Sequence, residues 1–252
     1  METLNGVIAA NGLITAFAVV GITVWFSYMI SRHFTAGRIH GSAIAIIVGL
    51  AAAWWAGTVT GGSRGVADIT LLAGIGLMGG GMMRDFGIVA TGFGVQLSEL
   101  KKAGMVGVIS IFAGVIVSFV VGAVVAIAFG YYDAESITTI GAGAVTYIVG
   151  PVTGTAIGAS SDVIALSVAA GVVKAILVMV GTPMVAKYIG LNNPQSAMVF
   201  GGLMGTTSGV AGGLAATDPR LVPYGAMTAT FYTGIGCLMG PSVLYFIVRA
   251  LA

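Results

Sequence analysis

Thr146, Thr153, Thr155, Ser160, Ser161 and Asp162 lie in one apolar, Gly-rich stretch, residues 141–162. Thr206, Thr207, Ser208, Thr217 and Asp218 lie in a second, residues 201–220. A hydroxyl both donates and accepts hydrogen bonds, so such a set can hold a carboxylate or ligate a small cation. We assign Thr146, Thr153, Thr155, Ser160, Ser161, Thr206, Thr207 and Ser208 as candidate substrate-binding residues. Asp162 and Asp218 are the candidate cation ligands. Lys174 joins the first group: it stands eleven residues into an apolar run from Val163, and Ser160, Ser167, Gly171 and Gly181 share its helical face. An ionisable residue at that depth is a functional candidate by default. Each residue also has a plain structural reading. Asp162 and Asp218 fit helix caps, the latter followed by Pro219. The hydroxyls fit interhelical hydrogen bonding, and Lys174 fits a buried pair or a snorkelling side chain.

The elements that must position these residues follow from composition. The chain has 252 residues, 58% hydrophobic and only 7% charged, with net charge +2. Soluble domains carry about 25% charged residues, so this is an all-α polytopic membrane protein. There is no sizeable polar segment for a separate catalytic head, and no enzyme activity is expected. Forty-one glycines let helices approach closely where packing drives association. The single Cys237 excludes an intrachain disulfide. The apolar stretch of residues 1–30 is long enough to be a permanent span rather than a cleaved signal.

Hydropathy gives apolar segments at 6–30, 42–60, 66–83, 103–130, 137–159, 163–185, 197–216 and 222–251. Gly150-Pro151 interrupts the fifth, and Gly212-Gly213 loosens the seventh. If both cross, there are eight spans; if both are re-entrant, there are six, with one hairpin entering from each side. Discontinuous or re-entrant helices are the preferred reading, because broken backbone at membrane depth needs protein or a water-lined cavity around it. The chain is read as one transporter domain, with residues 1–65 as scaffold or partner contact and 66–252 as the core. Arg32, Arg38, Arg84, Lys101 and Lys102 place the first and third loops in the cytoplasm. Gly-rich runs near Gly76, Gly141 and Gly201, each leading to a polar break, suggest an inverted repeat. Arg84-Asp85 reads as a local anchor, Arg220 as an anchor or an anion-entry residue. His33 and His40 form no metal motif, and Gly79-Gly80-Gly81 has no nucleotide-binding context.

Four strings carry a resemblance: residues 84–90 (RDFGIVA), 138–151 (TTIGAGAVTYIVGP), 214–226 (LAATDPRLVPYGA) and 230–234 (TFYTG). From about Leu71 to the C-terminus the chain resembles the larger membrane subunit, MadM, of bacterial malonate carriers. The resemblance implies symport of malonate with Na+ or H+ in the bacterial cytoplasmic (inner) membrane. It also implies a small second membrane subunit of the MadL type. No cofactor is expected beyond bound Na+, and no nucleic acid. The competing classes are a non-transporting membrane subunit of an enzyme complex, a carrier for another small carboxylate, and a channel.

Overall fold

The computed structural model describes residues 6, 8, 10–35, 41–62, 65–78 and 97–251, except the side chains of 42, 43 and 97–103. Arg38, His40, Gly79–Gly81, the 84–90 string and the Lys101 and Lys102 side chains lie outside the described residues. The described residues form ten α-helices with short 3-10 and π turns and no strand. Five segments among them are long and apolar enough to cross a bilayer: Gly12–Phe34, Ile44–Asp68, Gly104–Ala128, Ser161–Val185 and Pro219–Leu251. The chain divides into two compact units, Met1–Gly87 and Ile88–Ala252.

In the first unit, α1 (Gly12–Phe34) packs on α2 (Gly41–Thr60), with the Tyr28 ring over Gly41. The expected span at 66–83 differs: its described part is two 3-10 segments, Gly65–Asp68 and Thr70–Leu77. Gly74 packs directly against the backbone of Gly12, a contact that leaves no room for a side chain.

The second unit holds the two Gly-rich stretches. α3 (Leu97–Ala128) breaks at Gly104 and then runs 25 residues to its end, about 37 Å at 1.5 Å per residue. α4 (Ala134–Val145) and α5 (Val149–Ile157) have only 12 and 9 residues, about 18 and 14 Å. Each is therefore about half as long as a ~30 Å hydrocarbon core is thick. They fold back on one another: Gly150 faces Gly143, and Gly154 faces Thr139. This is a re-entrant hairpin with its tip at Thr146–Ile148. Residues Ala126, Ile140 and Val163 cluster at its mouth, so α3 ends, and α6 (Ser161–Val185) begins, at that same end of the bundle.

α6 crosses to the other end, where α7 (Pro194–Met204) starts inward. The chain turns at Gly205–Thr206, and α8 (Thr207–Ala215) returns along α6, Gly209 meeting Ala175, Gly212 meeting Met179 and Gly213 meeting Thr182. α9 (Val222–Met239) then crosses back, and a π turn at Gly240–Leu244 leads to α10 (Tyr245–Leu251). At the first end, Tyr245 Oη donates to Glu135 Oε1 at 2.7 Å. The two hairpins thus enter from opposite ends.

The breaks lie earlier than Gly150-Pro151 and Gly212-Gly213. Pro151 sits near the start of α5, between the Gly150 N–H bond to the Thr146 carbonyl and the Val152 N–H bond to the Ile148 carbonyl, so its missing N–H leaves one gap in the ladder and the helix continues past it. Gly212 and Gly213 are inside α8, where their lack of side chain admits Met179 and Thr182. The turn itself falls at Gly205, whose φ of +70° and contact with the Tyr232 ring both require glycine. Small residues also set α3 against both hairpins: Gly122 meets Gly141 and Ala144, and Gly114 meets Gly202 and Leu203.

Candidate functional site

The hairpin tips meet inside the second unit. Tyr147 Oη of the first lies 3.3 Å from Ser208 Oγ of the second. α6 runs alongside both, with Gly171 against the Tyr147 backbone and Ala175 against Gly209. This brings Thr146, Thr206, Thr207, Ser208 and Lys174 into the middle of the unit.

The first tip is closed on itself. Thr146 Oγ1 accepts from the N–H groups of Ile148 and Val149, both at 3.2 Å, and caps α5. The second is not. Thr206 occupies the N-cap position of α8 but makes no side-chain cap bond. Its hydroxyl is fully buried and unpartnered, and the Thr207 hydroxyl is likewise buried without a partner.

Lys174 is anchored rather than free. Its Nζ donates to Ser118 Oγ at 2.9 Å, the Val145 carbonyl at 3.0 Å and Tyr232 Oη at 3.1 Å, using all three ammonium donors. Tyr232 Oη in turn donates to the Gly114 carbonyl at 3.2 Å. Val145 is the last residue of α4, so the ammonium sits at the negative end of that helix dipole. One side chain therefore ties α6 to α3, α9 and the first tip.

The remaining candidates lie elsewhere. Thr153 is fully buried on α5, its hydroxyl unpartnered against Gly240. Thr155 is exposed. Ser160 caps α6 through Val163 N at 3.4 Å, and Ser161 and Asp162 are exposed beside it at the first end. Asp218 is at the opposite end, where Oδ1 accepts from Arg220 Nε at 3.0 Å and Oδ2 from Nη2 at 2.8 Å. That hydrogen-bonded guanidinium holds the Asp218 carboxyl below the usual range. The two aspartates are thus at opposite ends of the bundle, and neither reaches the tips. No cluster of three or more metal-ligating side chains occurs among the described residues.

Ser118, Tyr147 and Tyr232 belong to this centre and were not singled out from sequence. Tyr147 and Tyr232 stand within the family strings, and Tyr147 follows the tip threonine directly. A separate groove of about 770 Å³ runs between α6 and α7, lined by Leu177, Gly181, Phe200 and Leu203 among others, and is apolar.

Two short-helix hairpins entering a bundle from opposite ends, with broken backbone meeting beside the buried Lys174, make this an all-α polytopic membrane protein with the kind of discontinuous helices from which transporter sites are often built. Residues 4–252 match the family model described as malonate/sodium symporter MadM subunit, and the chain belongs to that family. The match extends the resemblance from about Leu71 back to residue 4. No curated protein and no solved structure matches the chain.

Proposed function

We propose that this chain is the substrate-translocating subunit of a Na+-coupled malonate importer. It works with a smaller second membrane subunit in the bacterial cytoplasmic membrane. The observation that carries this reading is the meeting of the two tips at Tyr147 and Ser208, with the Thr206 and Thr207 hydroxyls left unpartnered beside it. The family description supports malonate and sodium as the transported pair.

The energetics require coupling. Malonate is a dianion at neutral pH, and import against 100 mV, inside negative, costs about 4.6 kcal/mol for two charges. Two cotransported cations cancel that term, and a third makes import electrogenic. In its protonated form Lys174 supplies a positive charge near the tips and lowers the cost of bringing the anion there. Its donors are occupied, so it acts through its field and by holding the first tip. The end carrying Lys187 and Arg220 faces the cytoplasm by the positive-inside rule.

The test is uptake of labelled malonate into proteoliposomes holding this chain with its partner subunit. An inward Na+ gradient drives accumulation above equilibrium, and an inward H+ gradient without Na+ does not. Accumulation under H+ alone overturns the coupling ion. Equilibration without accumulation under either gradient overturns symport.

A further inference from the structure

The two hairpins correspond residue by residue. On entry, Asp133 and Asn193 are N-caps sixty residues apart, each accepting from a serine N–H at N3, Ser136 and Ser196. Gly141 and Gly201 follow, then the tip threonines Thr146 and Thr206, with the same separation. The second tip is two residues shorter. Beyond it Gly154 pairs with Gly212, the caps Ser160 and Asp218 pair, Lys174 pairs with Tyr232, and Pro183 pairs with Pro241. Because the hairpins enter from opposite ends, this is an inverted repeat. Lys174 and Tyr232 touch, at 3.1 Å, as equivalent residues must where a pseudo-two-fold axis passes between them. Ser118, bound to Lys174, lies midway between Gly114 and Gly122, which meet the second and first hairpins.

Against that symmetry the tips differ at their equivalent threonines. The Thr146 hydroxyl covers the first N–H groups of α5. Thr206 is rotated the other way: its methyl group lies over Gly209, at the first turn of α8. Its hydroxyl is fully buried with no partner, and so is the Thr207 hydroxyl atom. The first N–H groups of an α-helix have no intrahelical acceptor and carry partial positive charge. A buried hydroxyl without a partner is costly; Thr138, Thr139 and Thr153 share that condition, but they lie along α4 and α5 rather than at a tip beside free helix N–H groups.

We infer that the N-terminus of α8, with the Thr206 and Thr207 hydroxyls, is the subsite for one carboxylate of the transported dicarboxylate, and that Thr146 keeps the equivalent place on α5 closed. Rotation of Thr206 about its Cα–Cβ bond moves the methyl off the first turn of α8; the carboxylate then accepts from the Thr206 and Thr207 hydroxyls and from the first N–H groups of α8, at the positive end of the helix dipole. Ser208 links it to Tyr147 and so to the first tip. This assignment rests on the transport reading above and narrows it to one tip.

The experiment is equilibrium binding of malonate to the purified complex with its partner subunit. Thr206→Val weakens affinity roughly ten- to hundredfold, the size of a lost hydrogen bond to a charged group. Thr206→Ser, which keeps the hydroxyl, binds within about threefold of wild type on the same scale. Thr146→Val loses less affinity than Thr206→Val. Should Thr206→Val fail to assemble, hydrogen exchange on the wild-type complex decides: malonate protects amides 207–209 more than amides 148–150. Wild-type affinity in Thr206→Val, or stronger protection at 148–150, overturns the subsite while leaving malonate transport standing. A wild-type complex that binds no malonate overturns the transport reading and the subsite with it.

Discussion

Replacing Lys174 by Met tests whether the central ammonium holds the bundle together. Met keeps most of the side-chain volume and removes the charge. Three hydrogen bonds vanish, to Ser118, Val145 and Tyr232. The two hydroxyls can rotate to new partners, and Tyr232 keeps its bond to Gly114. The Val145 carbonyl cannot move, because it ends α4 inside the bundle. Leaving one buried acceptor unsatisfied costs about 1–3 kcal/mol. Loss of the helix-dipole interaction adds roughly 0.3–1 kcal/mol, and release of the ammonium's desolvation cost offsets part of the total. A net loss of about 1–3 kcal/mol in a unit of this size lowers Tm by roughly 2–10 °C. The assay is thermal unfolding of the purified complex in detergent, read beside malonate affinity. Lower Tm with weaker malonate binding is the expected pair. A variant as stable as wild type, with wild-type affinity, would refute both the structural and the electrostatic role of Lys174.

Gly205→Ala forces a side chain onto the Tyr232 ring at a backbone φ of +70°. Backbone strain alone costs about 1–2 kcal/mol, so the assembled complex is expected to fall in yield and Tm, measured by size-exclusion chromatography and melting. Asp218→Asn breaks the ion pair with the exposed Arg220 and keeps an oxygen to accept from the Arg220 N–H, so malonate uptake at neutral pH stays near wild type; a loss of Na+ dependence would instead make Asp218 a cation ligand. The Asp218 carboxyl is held below its ordinary value. Its contribution to stability is therefore present above the unfolded carboxylate range and is lost as pH falls through the lower folded value. Wild type and Asp218→Asn should accordingly converge in Tm on acidification. Tyr245→Phe removes the 2.7 Å bond to Glu135 at the first end; it should shift Tm slightly and leave malonate affinity alone, since that end is remote from the tips.

Much of this architecture was legible in the residues. Long apolar runs with few charges dictate the spans, and Gly-rich stretches studded with hydroxyls dictate backbone that cannot simply cross. The position of each tip was harder to read. Gly150-Pro151 marks a break by local propensity, yet α5 runs through Pro151 at the loss of one backbone bond, and the chain turns before it, at Thr146–Ile148. Gly212 and Gly213 likewise serve helix contact rather than a turn, a choice set by Met179 and Thr182 more than thirty residues earlier. Lys174 was visible as a charge in an apolar run. Its partners were not, because Ser118 and Tyr232 lie 56 and 58 residues away along the chain. The difference between Thr146 and Thr206 is one of side-chain rotation, which composition and spacing do not encode.

The most direct test of the account is linkage between the two ions in one sample. Malonate affinity of the purified complex is measured by titration at several Na+ concentrations, with ionic strength held constant by choline. Symport through a shared site requires that Na+ tighten malonate binding and, by reciprocity, that malonate tighten Na+ binding. The account predicts a malonate Kd that falls steadily as Na+ rises, with the dependence retained but shifted to weaker affinity in Thr206→Val. A malonate Kd that stays constant across the Na+ series would contradict it.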